Sequence, residues 1–288
     1  MPLSPFVFVS CSVDEASMNI RQHVLDWGKW EEVGEVWGGP LLYSKSRGQH
    51  LALMPDEHIF HEDPDVELAS ALPSPPGILI YLSKHRSESG AKSLTVHPLG
   101  NYGENKFGGR ARTLVPSAPH EMTAALRALK VEAVKADLPY DVTFEVTHHG
   151  PHISTPTFFI EIGSGEAEWA DRKAGKAIAS ALQRMAPDPE ERILVGVGGG
   201  HYAPRFADVV FKKKACFGHM VPAYALEGLD GRGVKKAIES AVSATPGCSG
   251  FYLHKKGIRG EAKQLARGAM EEIGLPIFSS SDIPDVQS

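Results

Sequence analysis

The chain has 288 residues, 42% of them hydrophobic and 23% charged, with a net charge of −5. That length and balance allow a globular protein with a sizeable core and exclude a globally basic, DNA-coating polypeptide. No apolar run is long enough to span a membrane, and three scattered cysteines without a Cys-x-x-Cys pair exclude a disulfide scaffold or a cysteine-based zinc site.

In chain order, Phe6–Ser10 reads as the first strand. Ser12 to Glu15 has the spacing of a capping box, and Ala16, Ile20, Val24 and Leu25 recur at helical spacing, so a helix is expected over Asp14–Trp27. Strands follow at Val33–Trp37, Leu41–Ser44 and His50–Met54. The acidic stretch His58–Glu67 reads as a loop with a helical turn, and the proline-rich Leu72–Gly77 as a rigid linker. Gly77–Leu82 is fully apolar and central, with Ser83-Lys84-His85-Arg86-Ser87 just past its end. Ser93–Val96 delivers His97, and the glycine-rich Gly100–Gly109 is expected to be a lid.

Ala118–Ala136 is a helix with Met122, Ala125, Leu126, Leu129 and Ala133 on one face. Val142–Thr147 alternates as a strand and ends in His148-His149. Thr157–Ile162 is a strand with Glu161 inside an apolar run, and Glu168–Met185 a helix. Ile193–Val195 is a buried strand entering the turn Gly196–Gly200, followed by His201, Tyr202 and a helix start at Pro204. Pro204–Lys213 ends in Lys212-Lys213-Lys214. A strand at Cys216–His219, a helix at Gly233–Val242, a strand at Phe251–His254 and a helix at Glu261–Ile273 complete the pattern. The polar tail 279–288 is expected to fray. Alternating β and α segments predict one α/β domain with a mixed, largely parallel sheet and helices on both faces.

Chemistry gathers at strand ends. Of 13 histidines, His85, His97, His148, His149 and His201 fall at or just after strands. His148 or His149 with His201 and a carboxylate, Glu145 or Glu161, would make an open metal site or a water-activating centre. Alternatively, one histidine is a hydrogen-bonded core residue and the other exposed. Lys84 and Arg86 suit an anion. The turn Gly198-Gly199-Gly200 lacks Walker A and dinucleotide spacing and better suits a planar group such as an adenine or a ribose ester. No Gly-x-Ser-x-Gly elbow supports a serine hydrolase. Residues 201–270 hold 12 Lys/Arg against 5 Asp/Glu, while residues 1–100 hold 7 against 13. The C-terminal part thus carries an anion-binding bias.

The ordered motifs SKHRS (83–87), LTVHPLGN (94–101), FGG (107–109), THHGP (147–151), GVGGGHYAPRF (196–206) and FGH (217–219) resemble the archaeal- and plant-type D-aminoacyl-tRNA deacylases over nearly the whole chain. The resemblance implies a phosphorylase/hydrolase-like α/β fold and hydrolysis of the ester joining a D-amino acid to tRNA. The scattered cysteines fit a reducing cytosol, and a monomer or homodimer is expected. The resemblance also implies a zinc ion. On that reading His148, His149 and His201, with Glu145 or Glu161, hold the zinc or activate water. Lys84 or the Gly198–Gly200 amides meet the oxyanion. His85, Arg86, His97 and Tyr202 contact substrate, and Arg205 with Lys212, Lys213 and Lys214 holds the tRNA backbone. Rival expectations are a zinc peptidase or peptidyl-tRNA hydrolase on the same fold, and a non-catalytic RNA- or nucleotide-binding protein.

Overall fold

The computed structural model describes residues 6–88 and 90–286. Two sheets form. The larger has eight strands in the order β2-β3-β4-β1-β5-β8-β6-β7. These are β1 (Phe6–Cys11), β2 (Glu31–Val36), β3 (Gly39–Ser44), β4 (Gln49–Met54), β5 (Ile78–Arg86), β6 (Ser93–Pro98), β7 (Asp141–Phe144) and β8 (Thr157–Ser164). β1, β4, β5 and β8 run parallel, whereas β2–β3–β4 is an antiparallel meander and β6 lies antiparallel to β8. The smaller sheet, order β10-β9-β11-β12, is wholly parallel. It comprises β9 (Arg192–Val197), β10 (Ala215–Val221), β11 (Gly250–Leu253) and β12 (Ile277–Phe278).

The two-residue side-chain period decides which core each strand feeds. On β1, Phe8 enters one hydrophobic cluster, and Val7 and Val9 the cluster on the opposite face. The first cluster is covered by α1 (Glu15–Leu25), α3 (Pro119–Lys135), α4 (Glu166–Trp169) and α5 (Arg172–Arg184), and it continues through Phe206 and Phe217 onto the smaller sheet. The second lies under α2 (Pro64–Ala71) and the segment around Leu99, Val115 and Ile153. The smaller sheet is flanked by α6 (Pro204–Lys212) on one face, and by α7 (Gly231–Ser243) and α8 (Gly260–Ile273) on the other. Each fully buried large apolar side chain contributes about 1.5–3 kcal/mol.

The mixed sheet and its flanking helices agree with the sequence reading; the second sheet is new. So are several boundaries. Asp14, not Ser12, caps α1, accepting the Ser17 N–H at 2.9 Å. The single helix expected over Glu168–Met185 breaks at Asp171, whose carboxylate accepts the Lys173 and Ala174 amides and starts α5 afresh. The tail does not fray through residue 286: Ile283 is buried, and the Lys214 N–H donates to the Pro284 carbonyl at 2.8 Å. Residues 287 and 288 lie outside the described part. The Gly100–Gly109 loop, expected to be a lid, is hydrogen-bonded at both ends. Glu62 Oε1 accepts the Gly109 N–H at 2.8 Å, and Asn101 Nδ2 donates to the Gly108 carbonyl at 2.9 Å.

Candidate active site

Residues 144–147 stitch the two sheets together. Beyond β7 the backbone stays extended but changes partners. The Glu145 N–H donates to Val96 of β6, the Val146 N–H to His201 at 2.9 Å, and the Thr147 N–H to Met220 of β10 at 3.2 Å. Ala203 returns a bond to Phe144 at 2.8 Å. This seam brings the Glu145-to-His149 segment of one sheet against the β9–α6 turn of the other.

Glu145 is the hub. Its fully buried Oε2 lies 2.9 Å from His201 Nε2, 3.2 Å from His85 Nδ1 and 3.3 Å from His148 Nε2. Burial alone would raise its pKa; the His201 hydrogen bond, with the His85 and His97 imidazoles, outweighs that and holds it well below the usual carboxylate range. Glu161 sits on β8 in register between Ser83 and Thr95, with Oε2 3.5 Å from His97 Nε2 and 3.7 Å from His85 Nδ1.

Strand alternation aims these groups. Tyr81, Ser83 and His85 share one face of β5, and β5 continues as strand through Arg86 rather than ending at Leu82. His85 faces Gly163 across the ladder, where an added Cβ would stand 3.0 Å from His85 Cβ. Glycine there makes room for the imidazole. Strand alternation would send His148 and His149 to opposite faces; His149 escapes it with φ 31°, a conformation that costs about 1–3 kcal/mol, and both rings reach one pocket. Burial, and then the neighbouring His97 imidazole, push both pKa values well down, so both rings are neutral at pH 7.

The pocket encloses about 680 Å³ and is walled by His85, His148, His149 and His201, with Lys84 and Arg86 on one side. Phe60 and Phe107 stand at its mouth, 54% and 62% exposed. Cys11, Asp14 and His58 also line it. No motif marked these, because the fold alone delivers them. The Asp14 pKa is raised to about 6, chiefly by burial. His58, lowered to about 3 by burial and by Lys84, lies 3.1 Å from Ser83 Oγ.

Several expected contacts fall elsewhere. His97, expected to contact substrate, is fully buried and walls no part of the pocket; its ring packs 4.2 Å from that of His148 and 5.0 Å from that of His149. The Gly198 and Gly199 amides already donate to Val221 and Gly257, at 2.8 and 2.9 Å, which removes them as oxyanion donors. Both have positive φ, 97° and 100°, and pack against His254 and Ile258; neither they nor Gly200 line the histidine pocket. Tyr202 sits beside the cluster, its ring 5.5 Å from those of His85 and His201. Arg205, at the start of α6, bonds Tyr252 and Ser280. Lys212, Lys213 and Lys214 lie at the other end of α6, roughly 12 Å along the helix, and Lys213 pairs with Asp285 at 2.7 Å.

The donor set fits a cation. Three groupings of ligand atoms lie within 4.8 Å of one another: His85, Glu145, His148 and His201; His97, His148 and His149; and His97, Glu145 and Glu161. The expected set of His148, His149, His201 and Glu161 is therefore redistributed, with His85 and Glu145 completing the cluster around His201. Glu145 Oε1, both carboxylate oxygens of Glu161, and Nε2 of His85 and His97 are buried without a hydrogen-bond partner. His148 is more telling. Its Nδ1 lies 2.8 Å from the Val146 carbonyl, which only an N–H can satisfy, so the neutral ring turns its Nε2 lone pair toward the Glu145 carboxylate. Two acceptors facing each other call for a positive charge between them.

Comparison with known proteins follows the geometry. The D-aminoacyl-tRNA deacylase family profile matches residues 73–278. This chain belongs to that family. A D-aminoacyl-tRNA deacylase of Methanosarcina mazei is 34% identical over 96% of this chain and 93% of its own length. One from Pyrococcus furiosus is 33% identical over 93% of this chain and 97% of its own. The crystal structure of a conserved protein of unknown function superposes with a TM-score of 0.86 at 29% identity, covering 98% of both chains. The six motifs that carry the family likeness thus converge on one seam between two sheets. No helix among the described residues is long and apolar enough to cross a membrane.

Proposed function

We propose that this enzyme of the deacylase family hydrolyses the ester of D-aminoacyl-tRNA at the Glu145–His201 seam, releasing free D-amino acid and tRNA. The observation that carries the reading is a buried, ionised Glu145 with three imidazoles within 3.3 Å, each of which walls the same pocket.

Ester hydrolysis needs a water stripped of a proton, a counter-charge for the carbonyl oxygen, and a proton for the departing ribose oxygen. Glu145 orients the His85, His148 and His201 rings and stabilises positive charge among them. His201, partly exposed on the pocket wall, is placed to take the water's proton and return it to the ribose oxygen. Lys84, half-buried on the same wall, meets the developing oxyanion. Phe60 and Phe107 offer apolar surface to the adenine or the amino-acid side chain. In the alternative arrangement His201 gives up the part of base: His85, Glu145, His148 and His201 would together hold a zinc ion, which would supply a water acidic enough to ionise near pH 7. Arg86 and Arg205 bind tRNA phosphates, and a tRNA substrate places the enzyme in the cytoplasm.

Deacylation of D-tyrosyl-tRNA beside L-tyrosyl-tRNA, with and without a chelator, tests this. The expected result is loss of the D-ester alone, abolished by chelation and restored by zinc. D-selective turnover indifferent to the chelator would remove the metal. Absence of turnover on either ester would overturn the proposal.

A further inference from the structure

A second cavity of about 570 Å³ opens at the C-terminal ends of the smaller sheet's strands, where open parallel sheets bind ligands. Its walls come from Arg205, from Tyr252 to Lys256 at the end of β11 and just past it, and from Phe278 to Ser281. The polar chain end thus has a place: it folds back as one wall.

The wall chemistry is cationic. Arg205 is held by neutral partners, the Tyr252 hydroxyl and Ser280 Oγ, the latter at 2.9 Å. Its guanidinium lies 5.5 Å from the Tyr252 ring centroid. Among the described residues no carboxylate comes within 4.0 Å of Arg205, Lys255 or Lys256. Asp282, the acid on the neighbouring turn, is occupied by the Ser279 N–H at 2.7 Å and the Ser279 hydroxyl. Lys255 and Lys256 are exposed. A planar fork, two exposed ammonium groups and serine hydroxyls around one concavity suit a phosphodiester. The glycine turn runs from beside this cavity to the histidine pocket. A Cβ on Gly199 would stand 3.4 Å from His254 Nδ1, and His201 lies two residues on in the other pocket.

We infer that the cavity walled by Arg205, His254, Lys255 and Lys256 is a phosphodiester subsite for the acceptor strand of tRNA, holding the chain that leads to the ester in the adjacent pocket. The inference rests on the deacylase reading for the identity of the RNA.

The test is equilibrium binding of uncharged tRNA across a salt series, beside D-tyrosyl-tRNA kinetics, for the full chain and two double variants. Lys255→Ala/Lys256→Ala removes exposed charge from the cavity. Lys173→Ala/Lys176→Ala removes the same charge from α5, on the other sheet. The expected result for the cavity variant is about tenfold weaker tRNA binding at 0.1 M salt. Its log–log salt slope should be shallower by about 1 to 2, with the loss in KM rather than kcat. The α5 variant should bind as wild type. Unchanged affinity and slope in the cavity variant, equal losses in both variants, or a fall in kcat with KM unmoved would each overturn the subsite. Wild-type protein that binds tRNA through this cavity yet leaves D-tyrosyl-tRNA intact would overturn the deacylase reading and leave the subsite standing.

Discussion

Glu145 Oε2 lies 2.9 Å from His201 Nε2, although the two residues follow strands of different sheets. The contact exists because residues 144–147 exchange backbone hydrogen bonds with residues 201–203 and with β10. A charge at the junction of two rigid sheets is held in place from both sides, as a group that must orient several imidazoles requires.

Replacing the Glu145 carboxylate by an amide isolates its charge. Glu145→Gln keeps the shape, removes the anion and leaves the imidazoles to face a neutral group. The kcat for D-tyrosyl-tRNA is expected to fall at least about 100-fold, the usual scale for a positioned acid–base group, with uncharged tRNA still bound. A kcat within tenfold of wild type would take Glu145 out of the reaction.

Metal content should follow His148, which belongs to two of the three ligand groupings, as Glu145 and His97 also do, and whose Nε2 lone pair faces the Glu145 carboxylate. After dialysis against apo buffer, elemental analysis of His148→Ala should find little zinc, while His85→Ala should bind it about 10–100-fold more weakly than wild type. Binding should also weaken as pH falls, since imidazoles must be neutral to ligate, although burial keeps His148 neutral to well below the ordinary histidine range. Zinc content in His148→Ala equal to wild type would place the ion elsewhere.

Much of this centre was legible as sequence. Each of the five strand-end histidines lies in the cluster, and Glu145 and Glu161 stood out as carboxylates in apolar strands. Three things were not legible. The alternation rule does not reveal that β5 runs on to Arg86, so His85 reads as a loop residue rather than a strand residue facing Gly163. Glycine spacing cannot show that the Gly198 and Gly199 amides are consumed by Val221 and Gly257. The second sheet depends on pairings between distant segments, β9 with β10 and β11, which leave no local period. Even the FGH motif took its meaning only from the fold. His219 lies 3.0 Å from Thr147 Oγ1 and 2.9 Å from the Val115 carbonyl, fastening β10 beside the histidine pair.

That His219 makes stability sensitive to acid. It is fully buried, and burial lowers its pKa from 6.5 to about 4 against the weaker opposing effect of its backbone partners. The unfolded chain therefore takes up a proton near pH 6.5 that the folded chain refuses until about pH 4. The stabilisation is fully present above pH 6.5 and is lost as pH falls from there to 4, by up to about 3 kcal/mol at 1.36 kcal/mol per pH unit. His58, lowered to about 3, acts in the same direction. Chemical denaturation at pH 7.5, 6, 5 and 4.5 should show this decline. In His219→Asn the starting stability should be lower by about 1–3 kcal/mol, from lost hydrogen bonds, and the decline shallower. Parallel pH profiles for the two proteins would assign the acid sensitivity to other groups.

Gly108 and Phe107 separate the architecture of the pocket mouth from its contacts. Gly108 has φ 79°, and an added Cβ would stand 1.6 Å from the Ile59 carbonyl oxygen, against backbone that cannot rotate away. Gly108→Ala must therefore both strain its own backbone and push Ile59 and Phe60 aside. A stability loss of at least about 2 kcal/mol is expected, together with a raised KM, because both walls of the mouth shift. Phe107 is exposed, so Phe107→Ala should melt as wild type does. If the ring stacks on the terminal adenine, KM should rise about 5- to 150-fold, corresponding to about 1–3 kcal/mol per stacked base, by the same factor for D-tyrosyl- and D-alanyl-tRNA. A rise confined to D-tyrosyl-tRNA would assign the ring to the amino-acid side chain, and a wild-type KM for both would show that it touches neither.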